Sequence, residues 1–436
     1  MPWRCDHAYD RSVTDRRRPA RSGPRSRRAP GTSAVTASVL TAGLLLGGCA
    51  AIDGPSWTPF AAPAPASAAD VRVSQAIDDV VIARATAIRR TDRSAFAATV
   101  ADSATVAARN QFDVLTHLPI SHFSLLVTGK VRASAGSRPA RAQAVVTETY
   151  RLPGDDTDVS RHGPATFVRN HGTWALESWR PSRPDLWDLE AVHTATDGPV
   201  VAVAGTGQMA AADLAQMAHV AAADVSALWQ PAWDGHVVVE LPDTQTDFAA
   251  VGDVHAGAAN IAGLTTTLRT SPDRPASVVR VYLNPAAFAE GSPLTERIIL
   301  THEVTHVAQA ALPDGAPLWL IEGSADFVGY SMTDLGPNVI AQDLVGETTP
   351  TAPPADQAFR FDSSSTDLAR AYEQSWTLLQ SVADRDGDQA VSQLYAAVVR
   401  ASGSDRQRES RAMRRVLGES RAAVLAQWQT WLADHL

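Results

Sequence analysis

Ser292-Pro293-Leu294-Thr295-Glu296-Arg297-Ile298-Ile299-Leu300-Thr301-His302-Glu303-Val304-Thr305-His306-Val307-Ala308-Gln309-Ala310-Ala311 reads as one helix, and the pattern at its centre organises the rest of the chain. Ser292 is suited to cap the helix, and Pro293 to its first position, where a missing N–H costs nothing. Leu300, Val304, Val307 and Ala311 recur at helical spacing and are expected to face the core, with the histidines on roughly the opposite side. Four residues apart, His302 and His306 lie about 40° apart around the axis, so both imidazoles can reach one metal ion. Glu303 is turned by about 100° from His302, which frees it to face a water molecule.

Pro313-Asp314-Gly315 ends this helix, and Pro317-Leu318-Trp319-Leu320-Ile321-Glu322-Gly323-Ser324-Ala325-Asp326 begins another. So short a connection makes the helices neighbours. Glu322 can then join His302 and His306, giving three protein ligands and one open position, the pattern of a catalytic rather than a structural zinc site. Gly323 would let the second helix approach the first. One turn beyond Glu322, Asp326 can accept a hydrogen bond from a ligand histidine and fix its tautomer.

His-Glu-x-x-His alone is only suggestive. With the helical placement, the breaker and Trp-x-x-Glu-Gly-x-Ala-Asp after it, the pattern resembles the zinc core of gluzincin metallopeptidases, in particular the peptidase-MA-like proteins of actinobacterial cell surfaces. The resemblance is specific from about residue 277 to residue 330, is looser to the C-terminus, and says nothing of catalysis upstream of about residue 195. It implies zinc-dependent hydrolysis of a peptide or protein substrate, with Zn2+ on His302, His306 and Glu322 and with Glu303 as general base. Tyr372, in Ala371-Tyr372-Glu373-Gln374-Ser375-Trp376, resembles the tyrosine that steadies the oxyanion in the aminopeptidase branch. Core packing explains Tyr372 as well, because Tyr372, Trp376, Leu379 and Ala383 share one helical stripe. The Gly-x-Met-Glu-Asn string that anchors a free N-terminus in those aminopeptidases is absent, which favours an endopeptidase. The competing expectation is a surface binding protein whose peptidase fold has lost activity.

The chain has 436 residues, 45% apolar and 19% charged, enough to build two folded domains. Its net charge of −9 is uneven: residues 1–48 carry nine Arg and three Asp, so the remainder carries −15. An acidic body disfavours nucleic acid as a partner. Arg16-Arg17-Arg18 and Arg27-Arg28 precede an uncharged run, 34–48, that closes on Leu46-Gly47-Gly48-Cys49. This reads as an export signal, too short for a confident membrane span. Its end resembles a bacterial lipobox, which implies lipidation of Cys49 and a lipoprotein on the outer face of the cytoplasmic membrane. Residues 1–49 are thus expected to be a lipoprotein signal and 50–70, rich in Ala and Pro, a semi-rigid tether. Cys5 would leave with the signal, so the mature chain would carry neither disulfide nor free thiol.

The overall expectation is an α+β chain in two parts. Residues 71–190 read as two helices up to about Asp113, then strands at 122–131, 142–150, 165–169 and 173–179. That order resembles the cone-shaped ketosteroid-isomerase/SnoaL-like fold, whose cone Glu148, Tyr150 and His162 could line, although ordinary sheet faces explain these residues better. Residues 190–199 read as a linker. Residues 199–436 read as the peptidase domain, with strands at 200–203, 237–240 and 278–283; the resemblance implies a sheet before the zinc helix whose edge strand, not identified by the sequence, can pair with an extended peptide. Asp253 and His255 read as loop residues and 346–358 as a loop over the cleft. Helices are expected from about Ser365, near 388–400 and near 408–431.

Overall fold

The computed structural model describes residues 5–8, 67–134, 139–170, 172–207, 209–254, 257–258, 261–269, 277–289, 291–360 and 365–436. The expected signal, Cys49, the tether and His255 lie outside these residues, except for Cys5–Ala8 and 67–70. Among them, no helix is long and apolar enough to cross a membrane. The fold class is α+β.

Cys5–Ala8 forms strand β1, and the part beginning at residue 68 opens with α1 (Ala68–Arg89), α2 (Arg93–Ala97) and α3 (Thr105–His117). The turn at 90–92, capped by Asp92 on Ala95 N, divides the helical run into more pieces than its periodicity suggested. Strands β2 (His122–Ala133), β3 (Arg141–Arg151), β4 (Val159–Asn170) and β5 (Thr173–Trp179) follow as an antiparallel meander in that order. Along β3, inward Ala142, Ala144, Val146, Glu148 and Tyr150 alternate with more exposed residues. Helix α4 (Leu186–Leu189) then leads to β6 (Val192–Asp197). Residues 190–199 are therefore not simply connecting chain: all six residues of β6 pair antiparallel with β7 (Val200–Gly205).

After β7 come α5 (Ala211–Leu228), β8 (Val237–Leu241), α6 (Gln245–Val251), β9 (Gly263–Arg269), β10 (Ser277–Leu283) and α7 (Pro285–Ala289). The sheet order is β1-β9-β10-β8-β7-β6. The pairs β10–β8 and β8–β7 are parallel, the flanking pairs β10–β9 and β7–β6 antiparallel, and β1 lies parallel to β9 at one edge. Strands β7, β8 and β10 are buried on both faces, which is why their runs of Val read as continuous rather than alternating. Val200, Ala202, Val239 and Val281 face one core with α5, while Val201, Val203, Val238 and Tyr282 face the other, shared with α1 and β3.

The remaining elements are helical: α8 (Pro293–Ala310), α9 (Leu318–Tyr330), α10 (Pro337–Ile340), α11 (Ser365–Asp386), α12 (Gln389–Arg400), α13 (Asp405–Val416) and α14 (Arg421–His435). Gly418, at φ +73°, sits between α13 and α14, where a single helix was expected. Trp428 and Trp431 are buried in this packing.

Buried charge ties the two sheets together. Arg280 on β10 donates to both carboxylate oxygens of Asp155, each at 2.7 Å, across 125 residues of sequence. Arg161 on β4 holds Glu148, Asp185 and Asp188.

Candidate metal centre

Ser292 accepts from Thr295 N at 3.2 Å and Pro293 occupies the first turn, so α8 starts where its caps require. It does not present one apolar and one open face. Residues 299–306 are buried on every side, because α8 is wrapped by α9, α5, β9 and β10. Val307 is half-buried and Ala311 exposed, whereas His302, Glu303 and His306 are at most 2% exposed. The expected stripe is therefore less buried at its C-terminal end than the histidine face.

Nε2 of His302 lies 3.0 Å from Nε2 of His306, and Oε2 of Glu322 is 3.4 Å from each. A triangle with those sides has its centre about 1.9 Å from every corner, against about 2.0–2.2 Å for zinc bonded to imidazole nitrogen or carboxylate oxygen. Oε2 of Glu322 is buried without a hydrogen-bond partner. Two ring nitrogens and an orphaned carboxylate oxygen aimed at one point fit a divalent cation, so this buried trio could hold a metal. The electrostatics agree. Burial opposes charge on His302, yet the carboxylates of Asp326 and Glu322 beside it raise its pKa to about 10. Burial likewise opposes charge on Glu322, but His306 and His302 hold its carboxyl well below the ordinary range.

The outer nitrogens are engaged. Nδ1 of His302 is 2.8 Å from Oδ1 of Asp326, as expected for a residue one turn past Glu322. Nδ1 of His306 is 2.8 Å from Oε1 of Gln309, whose amide donates to Ile321 O and Ser324 Oγ, both at 2.9 Å. Both contacts leave Nε2 as the inward lone pair. Gln309 was not singled out from sequence, although its place three residues after His306 puts it on the same helical face.

Glu303 faces β9. Oγ1 of Thr265 donates to Oε2 of Glu303 at 2.5 Å, and burial raises the Glu303 pKa. A Cβ at Gly263 would sit 2.7 Å from Cγ and Oε1 of Glu303, so glycine lets the carboxylate lie against the strand. Nothing local in Gly263-Leu264-Thr265-Thr266-Thr267 signals these contacts; the strand pairing creates them. Gly323 does not serve the approach of α9 to α8. A Cβ at Gly323 would lie 2.8 Å from the backbone of Ser375 on α11, whereas one at Gly329 would lie 3.2 Å from Ile298 O, so Gly329 is the glycine against α8.

Tyr372 on α11 is buried, its ring 6.4 Å from that of His302 and 5.5 Å from that of Phe359, which follows the 346–358 loop. Glu148 and Tyr150 both face inward from β3, where Glu148 is paired with Arg161 and Tyr150 packs on Trp187, whereas His162 is exposed and does not join them.

No protein-family model matches the chain, and no curated protein matches it. Among solved structures, a mutant of the M1 zinc metallopeptidase of Deinococcus radiodurans with a bound Tyr-Ser-Ala substrate matches at 14% identity and a TM-score of 0.31. The match covers 72% of this chain and 62% of that one. A likeness of that size carries no argument about activity, so the chemistry rests on the residues themselves.

Proposed function

We propose that this chain is a zinc-dependent peptidase, an endopeptidase, exported and anchored through a lipid on Cys49. The observation that carries the reading is the convergence of His302, His306 and Glu322 on one point, with Glu303 next in sequence to the first histidine. Zn2+ held by these three residues would make an attacking water more acidic and polarise the scissile carbonyl. Glu303 takes a proton from that water and delivers it to the departing amine. Thr265 and Gly263 hold its carboxylate in place, and burial favours the protonated form it must pass through. Tyr372 donates its hydroxyl proton to the developing oxyanion in a hydrogen bond.

An extended substrate would lie along the outer side of β9. That side accepts a strand: β1 pairs with it in parallel from Cys5↔Gly263 to Ala8↔Thr266. Loss of an export leader would free this edge.

The test is metal analysis of the purified full-length protein, together with cleavage of casein and a peptide library, with and without a chelator and in Glu303→Gln. Stoichiometric zinc, chelator-sensitive internal cleavage and loss of turnover in the variant are expected. Unchanged cleavage in Glu303→Gln rejects the base. Zinc without any cleavage favours a binding protein on a peptidase scaffold.

A further inference from the structure

Helix α13 sets a basic face on an acidic body. Residues 400–421 carry seven Arg against Asp405, Glu409 and Glu419, a net of +4, whereas the rest of the chain beyond residue 48 carries −19. The arginines are not scattered. Arg406, Ser410 and Arg414 form one row at i, i+4 spacing and Gln407, Arg411 and Arg415 the row beside it, together about half the helix circumference. All of these are exposed except Ser410, which is half-buried. No carboxylate and no large apolar side chain interrupts the two rows. The opposite side of the helix, with Glu409, Ala412 and Met413, is buried in the fold.

The three carboxylates of this segment are engaged elsewhere: Asp405 with Arg408 at 2.5 Å, Glu409 with Arg421 at 2.6 Å and Glu419 with Arg385 at 3.5 Å. Arg411 donates to Ser402 Oγ at 3.3 Å. Among the described residues, none of Arg406, Arg411, Arg414 and Arg415 makes an ion pair. A helix whose surface serves solubility alone gains from acidic residues four positions from its basic ones, and like charges at that spacing destabilise it. Arg411 and Arg415 stand at that spacing. Four guanidinium groups left without counter-charge on one face make a local positive field on a negative protein, which draws an anionic surface to that face alone.

We propose that the outer face of α13 docks on the anionic lipid headgroups of a membrane. The inference rests on the reading of the chain as a lipoprotein: an extended tether over residues 50–70 reaches up to about 60 Å, enough to lay this face on the leaflet that holds the anchor. The apolar side of α13 is committed to the fold, so nothing remains to insert among acyl chains. The contact is therefore electrostatic and confined to about a Debye length, each arginine strengthening attachment about fivefold.

Sedimentation of the full-length protein with vesicles tests this. Cys49→Ala removes the lipid, and Arg16→Gln, Arg17→Gln, Arg18→Gln, Arg27→Gln and Arg28→Gln remove the basic cluster of the leader, so neither can carry the protein to the bilayer. In that background, binding to phosphatidylglycerol-containing vesicles is expected at low salt, with release at high salt and no binding to phosphatidylcholine alone. Arg406→Gln, Arg411→Gln, Arg414→Gln and Arg415→Gln together should weaken it at least tenfold, and the same four positions changed to Lys should retain it. No binding to the anionic vesicles, equal binding to neutral ones, binding that survives high salt, or undiminished binding in the Gln variant overturns the proposal. Equally tight binding of soluble polyglutamate also overturns it and assigns the face to an acidic polymer. Because the lipid is absent, these outcomes are independent of the anchor, which mass analysis of Cys49 in the exported chain decides separately.

Discussion

Thr265 on β9 donates a 2.5 Å hydrogen bond to Oε2 of Glu303 on α8, thirty-eight positions away in the chain. The same hydroxyl lies 3.0 Å from the Glu303 backbone carbonyl, so one side chain fixes both the helix and its carboxylate against the sheet. Thr265→Val keeps the shape and removes the donor. Cleavage is expected to fall roughly tenfold, the equivalent of one hydrogen bond to a charged group at about 1.4 kcal/mol, with zinc content unchanged. Steady-state kinetics alongside metal analysis would show whether the two separate.

Gln309 and Asp326 each hold the outer nitrogen of one histidine. Gln309→Leu and Asp326→Ala should each weaken zinc affinity by about 10–100-fold, read by chelator competition. Gln309→Leu also leaves Ile321 O and Ser324 without their donor, so its thermal midpoint should drop more than its length suggests.

Gly263→Ala is expected to cost far more activity than stability. The added methyl meets the flexible end of Glu303, which can swing away from its working position. Gly323→Val should do the opposite, because its side chain would strike the Ser375 backbone at 2.8 Å and force α9 from α11; a loss of about 2–3 kcal/mol is expected in denaturant melts.

Glu240 on β8 is buried beside Tyr282, with Oε2 unpartnered, and burial raises its pKa to about 8, reinforced by Asp185 and opposed by Arg280, Arg183 and Arg161. The unfolded chain ionises this carboxyl near 4.5, whereas the fold keeps it protonated to about 8. Between those values the unfolded state binds fewer protons, so the group's contribution to stability falls as pH rises. Glu240→Gln removes the ionisation. Its midpoint should match the parent's near pH 4.5 and exceed it by several degrees at pH 8, roughly 1–3 kcal/mol, in paired thermal scans.

The histidine pair, its helix and the caps were legible because helical spacing is a local property: Ser292, Pro293 and the interval between His302 and His306 involve only neighbouring turns. Glu322 and Asp326 were legible because Pro313-Asp314-Gly315 is too short to separate the helices that carry them. The strands came through where their faces differ in polarity, as in β3. Strand β6 was misread as a linker because Val192-His193-Thr194-Ala195-Thr196-Asp197 is a half-exposed border strand with weak apolar content. The roles of Gly323 and Gly329 were not legible, since a glycine reveals that something comes close but not which partner.

Sequence alone determined that two imidazoles and a carboxylate would stand on adjacent helices, because each step of that inference spans no more than a few turns of chain. Tertiary structure decided what surrounds them. Strand pairing brings Thr265 and Gly263 to Glu303, packing of α11 brings Tyr372 beside His302, and packing of α3 sets Gln111 against Arg84 of α1. These are contacts between residues tens of positions apart, fixed by which surfaces bury together, and no local periodicity encodes that choice.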